Sequence, residues 1–228
     1  MRLFRFLAFI VSLLFLLAVF WIKWPQFSFF RTPEALSMIS GYLAFLLISL
    51  TLLLGPIKQW LARFAPQLLL LRRDLGIIGG VCALVHVALV LFIFEKGPQL
   101  HFLQSDITAK GWLGLFFLDA SVYGGGLSLN FTFTGIANYM GLIAFILLFC
   151  LWITSSRYAE KLLGGSSWKR IHMSNFLLFV LVVFHALIYV NSIKGEPHTP
   201  GDFLWIAGIV VAIRLIAFVK TVFLRRTK

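Results

Sequence analysis

One stretch, Lys169 to Lys194 (KRIHMSNFLLFVLVVFHALIYVNSIK), limits what this chain can become more than any other. Between the basic pair Lys169/Arg170 and Lys194 lie 23 residues without a formal charge, rich in Phe, Leu, Val and Ile. As a helix they are long enough to cross the ~30 Å hydrocarbon core of a bilayer. Two histidines, His172 and His185, fall inside the run. An imidazole in hydrocarbon costs several kcal/mol unless it is bonded to something, so His185 calls for a partner.

The other histidine inside a strongly apolar stretch is His86, in DLGIIGGVCALVHVALVLFIF. It lies nine residues before Glu95, as His185 lies nine residues before Lys194. If the two helices cross in the same direction, both rings stand at one level, roughly 13 Å inside the outer boundary at 1.5 Å per residue. Two facing imidazoles at one level suit the two axial positions of a b-type haem, a site closed to oxygen and suited to electron transfer. The bland alternative for the pair is an interhelical hydrogen bond.

Composition fixes the class around this pair. With 61% hydrophobic residues and 12% charged, and a mean hydropathy of +0.97, 228 residues read as about six spans with short loops, an all-α polytopic membrane bundle. Cys82 and Cys150 both fall in apolar runs and read as packing residues, and there is no CxxCH for covalent haem attachment. The expected spans are residues 3–22, 35–54, 75–94, 138–154, 171–193 and 203–219, in a single domain covering 1–228. The first is read as a retained helix rather than a signal peptide, because its apolar run is too long and lacks a small-x-small cleavage site. Trp21, Trp24 and Phe27 around Pro25 suggest an outer aromatic belt. Residues 57–74, with Lys58, Arg63, Arg72 and Arg73, read as a cytoplasmic loop. Residues 95–135 form a long outer connection whose apolar middle, broken by Asp119 and Gly124–Gly126, suggests an interfacial or re-entrant segment.

With both termini inside, fifteen of the 20 Lys and Arg residues fall on the cytoplasmic side, and only Lys23, Arg31, Lys96, Lys110 and Lys194 fall outside. This positive-inside asymmetry accounts for a net charge of +12 through the membrane, without nucleic acid. It also sends the third and fifth spans in the same direction, as the depth match requires. On the third span, Gly76, Gly79, Gly80, Ala83 and His86 share one face, which admits close approach by a neighbouring helix or a flat macrocycle.

The runs LLLLRRDLGIIGGVCALVHVAL and WKRIHMSNFLLFVLVVFHALIYV resemble the ferric-reductase-like transmembrane domain. That superfamily takes in ferric reductases, NADPH oxidases and the haem-binding membrane subunit of the bacterial periplasmic methionine sulfoxide reductase system. The resemblance covers roughly Gly41 to Asn191. It implies that His86 and His185 match the ligands of an outer haem and that His172 matches the fifth-span ligand of an inner one. Two-haem members carry a further histidine 13 or 14 residues before the third-span ligand, and here those positions are Arg73 and Arg72, which are not iron ligands. One haem b per chain is therefore the expectation, with an inner site left incomplete. Flavin-bearing relatives continue into FAD and NADPH domains, so electrons are expected here from a separate donor, a quinol or a flavoprotein, with a quinone or flavin supplied by that partner. On this reading the chain passes electrons across a bacterial inner membrane to an extracytoplasmic acceptor.

Other residues carry two readings each. His172 sits two residues past Arg170 at the inner interface. On an ideal helix the 13 residues to His185 leave the two rings about 140° apart, so only a local distortion puts them on one stripe. Arg72, Arg73, Lys169 and Arg170 are positive-inside markers, or they pair with haem propionates or an acidic donor. Arg214, inside the sixth span, either meets an anion or snorkels to the headgroups. His101 and His198 read as outer surface residues. Rival functions are a haem-free carrier or channel using its histidines for metal or protons, and a scaffolding subunit.

Overall fold

A computed structural model describes residues 2–61, 64–95, 109–121, 124–192 and 201–226. His101, His198, Lys96 and Lys194 lie outside them. The elements run α1 (Arg2–Phe27), α2 (Thr32–Trp60), α3 (Ala65–Glu95), a 3-10 turn (Gly111–Leu115), β1 (Phe117–Asp119), β2 (Leu127–Leu129), α4 (Phe133–Ile153), α5 (Arg157–Leu163), α6 (Gly165–Met173), α7 (Asn175–Ser192) and α8 (Gly201–Arg226). Among the described residues, six helical stretches are long and apolar enough to span a membrane: 6–27, 32–58, 66–93, 133–153, 165–190 and 201–223.

Helix α2 is the axis of the bundle. Its spanning window is 61% buried, against 6–17% for the other five. Pro33 occupies its first turn, where a missing N–H costs nothing, and Glu34 complements the helix dipole there. Three of the hydroxyls that α2 buries are bonded back along the helix: Ser49 to Phe45 O at 2.8 Å, Thr51 to Ile48 O at 2.7 Å and Ser40 to Ser37 O at 2.9 Å. Polar side chains are thus tolerated where water is absent. Phe45 forms the hub, 4.1 Å centroid to centroid from Phe203 and 6.0 Å from Phe179. Around it Ile48, Leu52, Leu148, Leu178 and Val210 join α2, α4, α7 and α8 in one cluster. In lipid this cluster gains little from leaving water, and dispersion between close-packed atoms holds it instead. The apolar side chains exposed along α1 and α8 face the acyl chains.

Residues 57–74, expected as a loop, are mostly helix. Helix α2 runs through Gly55-Pro56 to Trp60, and α3 starts at Ala65. Pro56 removes one backbone donor without stopping the helix, and Leu61 N still reaches Ile57 O at 2.8 Å. Pro66 falls in the first turn of α3, which it favours, so nothing delays the helix until Leu75. Arg72 and Arg73 therefore sit two turns inside α3. Helix α1 likewise passes Pro25 and ends at Phe27.

The described part of the 95–135 connection is a 3-10 turn followed by an antiparallel hairpin, which pairs Phe117 with Leu129, Leu118 with Ser128 and Asp119 with Leu127. Hydrogen bonds from Ser121 to Asp119 hold that carboxyl below the usual carboxylate range. Helix α4 begins at Phe133, five residues earlier than expected. Thr132 caps it by accepting from Gly135 N at 3.2 Å, and Asn130 Oδ1 in turn accepts from the Thr132 hydroxyl at 2.6 Å.

Candidate functional site

His86 on α3 and His185 on α7 meet inside the bundle. Their ring centroids are 6.4 Å apart and their planes lie 81° from parallel. Each ring is held from behind by a different helix. Nδ1 of His86 lies 2.8 Å from the carbonyl oxygen of Ser37, with the Ser37 hydroxyl at 3.2 Å. Nδ1 of His185 lies 2.8 Å from the carbonyl oxygen of Ala137. A carbonyl only accepts, so each Nδ1 carries the proton and each Nε2 keeps its lone pair.

One helical turn beyond each carbonyl stands a glycine. A Cβ on Gly41 would lie 3.0 Å from Nδ1 of His86, and one on Gly141 would lie 2.9 Å from both Nδ1 and Cε1 of His185. The two halves of the site are thus built alike. A residue on α2 or α4 gives its carbonyl, the glycine four residues on gives space, and the imidazole from α3 or α7 fills it. Ser37, Gly41, Ala137 and Gly141 escape the sequence reading, although a small residue at the right depth in each facing span is a usable signal.

The outer edge is tied to the connection. Tyr189, one turn past His185, has its ring 5.0 Å from the imidazole. Its hydroxyl donates to Asn138 Oδ1. The Asn138 amide donates to Leu115 O at 2.8 Å, and Tyr139 donates to Phe116 O at 2.6 Å. The 3-10 turn is thereby fastened over the end of the bundle that holds the histidine pair.

His172 is on α6, and Ser174 breaks the helix between it and His185. There Ser174 N bonds Ile171 O at 3.1 Å in a tighter turn. The ring of His172 stacks on Trp168 at 4.1 Å, and its Nε2 lies 3.3 Å from the Thr154 hydroxyl. Trp168 fixes the same turn by donating to Thr154 O at 2.8 Å. No second histidine stands beside it among the described residues.

The face of small residues on α3 is covered by neighbours. Gly79 backs onto Leu47 of α2, and Gly80 lies against the indole of Trp152, whose Nε1 donates to Ile77 O at 3.2 Å. Arg170 is exposed. Arg73 buries its Nε without a hydrogen-bond acceptor. Arg72 and Arg214 approach each other over Gly55: a Cβ there would lie 3.6 Å from Nη1 of Arg72 and 3.9 Å from Nη1 of Arg214.

The family model described as ferric reductase like transmembrane component matches residues 40–183. The chain belongs to this family. The ferric-reductase-like match takes in His86 and His172 and ends just short of His185. The chain is 26% identical over 187 residues, 80% of its own length and 79% of the relative's, to the protein-methionine-sulfoxide reductase heme-binding subunit MsrQ of an Enterobacter species. To the protein of the same name from Rhodospirillum rubrum it is 33% identical over 81 residues, 36% of this chain and 38% of that one. It is also 39% identical over 59 residues to the magnetosome protein MamZ of Magnetospirillum gryphiswaldense, matching 26% of this chain and only 9% of that longer protein. Six apolar helices, the ferric-reductase-like match and these bacterial relatives make it a multi-pass protein of the bacterial inner membrane.

Proposed function

We propose that this chain is a membrane b-type cytochrome in which His86 and His185 supply both axial ligands of a single haem. The observation that carries the reading is the separation of the two rings. A metal–imidazole bond of about 2.0–2.1 Å, with ~1.1 Å from nitrogen to ring centroid, puts two imidazoles on opposite sides of one metal at ~6.3 Å between centroids. The observed separation is 6.4 Å. The carbonyls of Ser37 and Ala137 supply the usual partner for the ring nitrogen that does not ligate, fixing tautomer and orientation. Gly41 and Gly141 let those helices come close enough to do so. A haem held this way exchanges single electrons without an open coordination position.

The name of the MsrQ relatives, a heme-binding subunit, supports the same reading. We place both termini in the cytoplasm. Electrons then enter from a separate quinol or flavoprotein donor, with any quinone or flavin brought by that partner. They leave through the end capped by Tyr189 and Asn138 to an extracytoplasmic acceptor. The deciding experiment is an absorption spectrum of the purified protein, oxidised and reduced, with haem extracted and counted. A Soret band with low-spin b-type reduced maxima is expected, and a colourless preparation from haem-replete cells would end the proposal.

A further inference from the structure

At the opposite end of the bundle from the histidine pair, two like charges face each other. Arg72 on α3 and Arg214 on α8 bring their Nη1 atoms to within 4 Å of one point above Gly55 of α2, and both helices pack on α2. Arg214 also lies over the ring of Phe176, 5.6 Å from its centroid. That contact orients the guanidinium without neutralising it. Next in the chain, Arg73 keeps its Nε buried and without an acceptor. Guanidiniums set side by side within a low-dielectric span call for an anion between them.

We infer that Arg72 and Arg214, bridged over Gly55, bind the phosphate of an anionic phospholipid. Phosphate matches the planar fork of arginine, and two forks can share its oxygens. Depth selects a lipid as its source. Arg72 is six residues inside the span 66–93 and Arg214 is nine residues inside the span 201–223, so they stand roughly 9–14 Å from the span ends. Their guanidiniums converge over Gly55, three residues from the end of the span 32–58, roughly 5 Å from the headgroup level. The flanks are apolar and open: Leu69 is 47% exposed, Leu215 59%, Ile216 56% and Phe218 65%. Acyl chains attached to the phosphate would lie along them. This site does not depend on the haem assignment, since it stands 14 residues, about 21 Å, from His86 along α3.

The test is a titration of the purified protein in neutral detergent, followed by its melting temperature and by lipid phosphorus retained per chain. Phosphatidylglycerol should raise the melting temperature, and phosphatidylcholine or sodium phosphate should do so at least tenfold less effectively. Arg72→Gln with Arg214→Gln should abolish the response to phosphatidylglycerol, while Arg72→Lys with Arg214→Lys keeps part of it. If the double glutamine variant does not purify, Arg214→Gln alone should shift the titration to at least tenfold higher lipid. An undiminished response in the glutamine variants would overturn the site. Equal stabilisation by sodium phosphate would overturn the lipid as its occupant.

Discussion

The carbonyl of Ala137 holds Nδ1 of His185 at 2.8 Å, the distance at which the carbonyl of Ser37 holds Nδ1 of His86. Helix pairs α2/α3 and α4/α7 thus repeat one local device on two sides of the bundle. Each imidazole has its tautomer set by a main-chain carbonyl, which a substitution at Ser37 or Ala137 itself leaves in place. The consequences fall on the ligands and on the glycines behind them.

His86→Ala and His185→Ala should each abolish the low-spin haem signal, because one imidazole does not fill two axial positions. Haem content per chain and the reduced spectrum of each purified variant provide the check. Full haem with an unchanged spectrum in either variant would remove that residue from the site.

Gly141→Ala should weaken haem retention. Its Cβ would stand 2.9 Å from the His185 ring, closer than packed atoms lie, so either the ring turns or α4 withdraws. Losing the orienting bond from Ala137 would then cost on the order of 10–100-fold in affinity. Gly41→Ala, with its nearest contact at 3.0 Å, should act in the same direction and more mildly. Competition by apomyoglobin for the haem measures both.

Haem stoichiometry should be one per chain. His172 has its ring face on Trp168 and its Nε2 near Thr154, so His172→Ala should leave haem content intact and at most slow electron entry from the inner side. Two haems in the parent protein, one of them lost in this variant, would refute the single-site assignment.

Phe45→Ala should destabilise the bundle by roughly 2–4 kcal/mol, at or below the range for buried aromatics in soluble cores, since in lipid the cavity and lost dispersion remain while the transfer term is small. Reversible unfolding in mixed micelles would show it. A change below about 0.5 kcal/mol would mean that the hub relaxes around the gap.

Reporter fusions at Lys58, Arg157 and Lys228 should lie in the cytoplasm, and those at Lys96 and Lys194 outside, following the distribution of Lys and Arg. An inverted pair would break the assumed direction of electron flow.

The sequence by itself determined that six helices cross a membrane and that His86 and His185 belong together. Both follow from one-dimensional quantities, run length and depth, because in hydrocarbon the backbone has no choice but to form helix. It did not determine where helices stop beside a proline or a charge. Pro25, Pro56 and Pro66 read as breaks, yet helix covers all three, since Pro66 falls in a first turn, where no donor is missed, and Pro25 and Pro56 each remove a single donor without ending the helix. Only the tertiary structure decided which main-chain carbonyls hold the imidazoles, which glycines admit them, and that Arg72 meets Arg214 over Gly55. Those are relations between residues dozens to more than a hundred positions apart. No local propensity encodes them, because they arise only when helix faces are packed against one another.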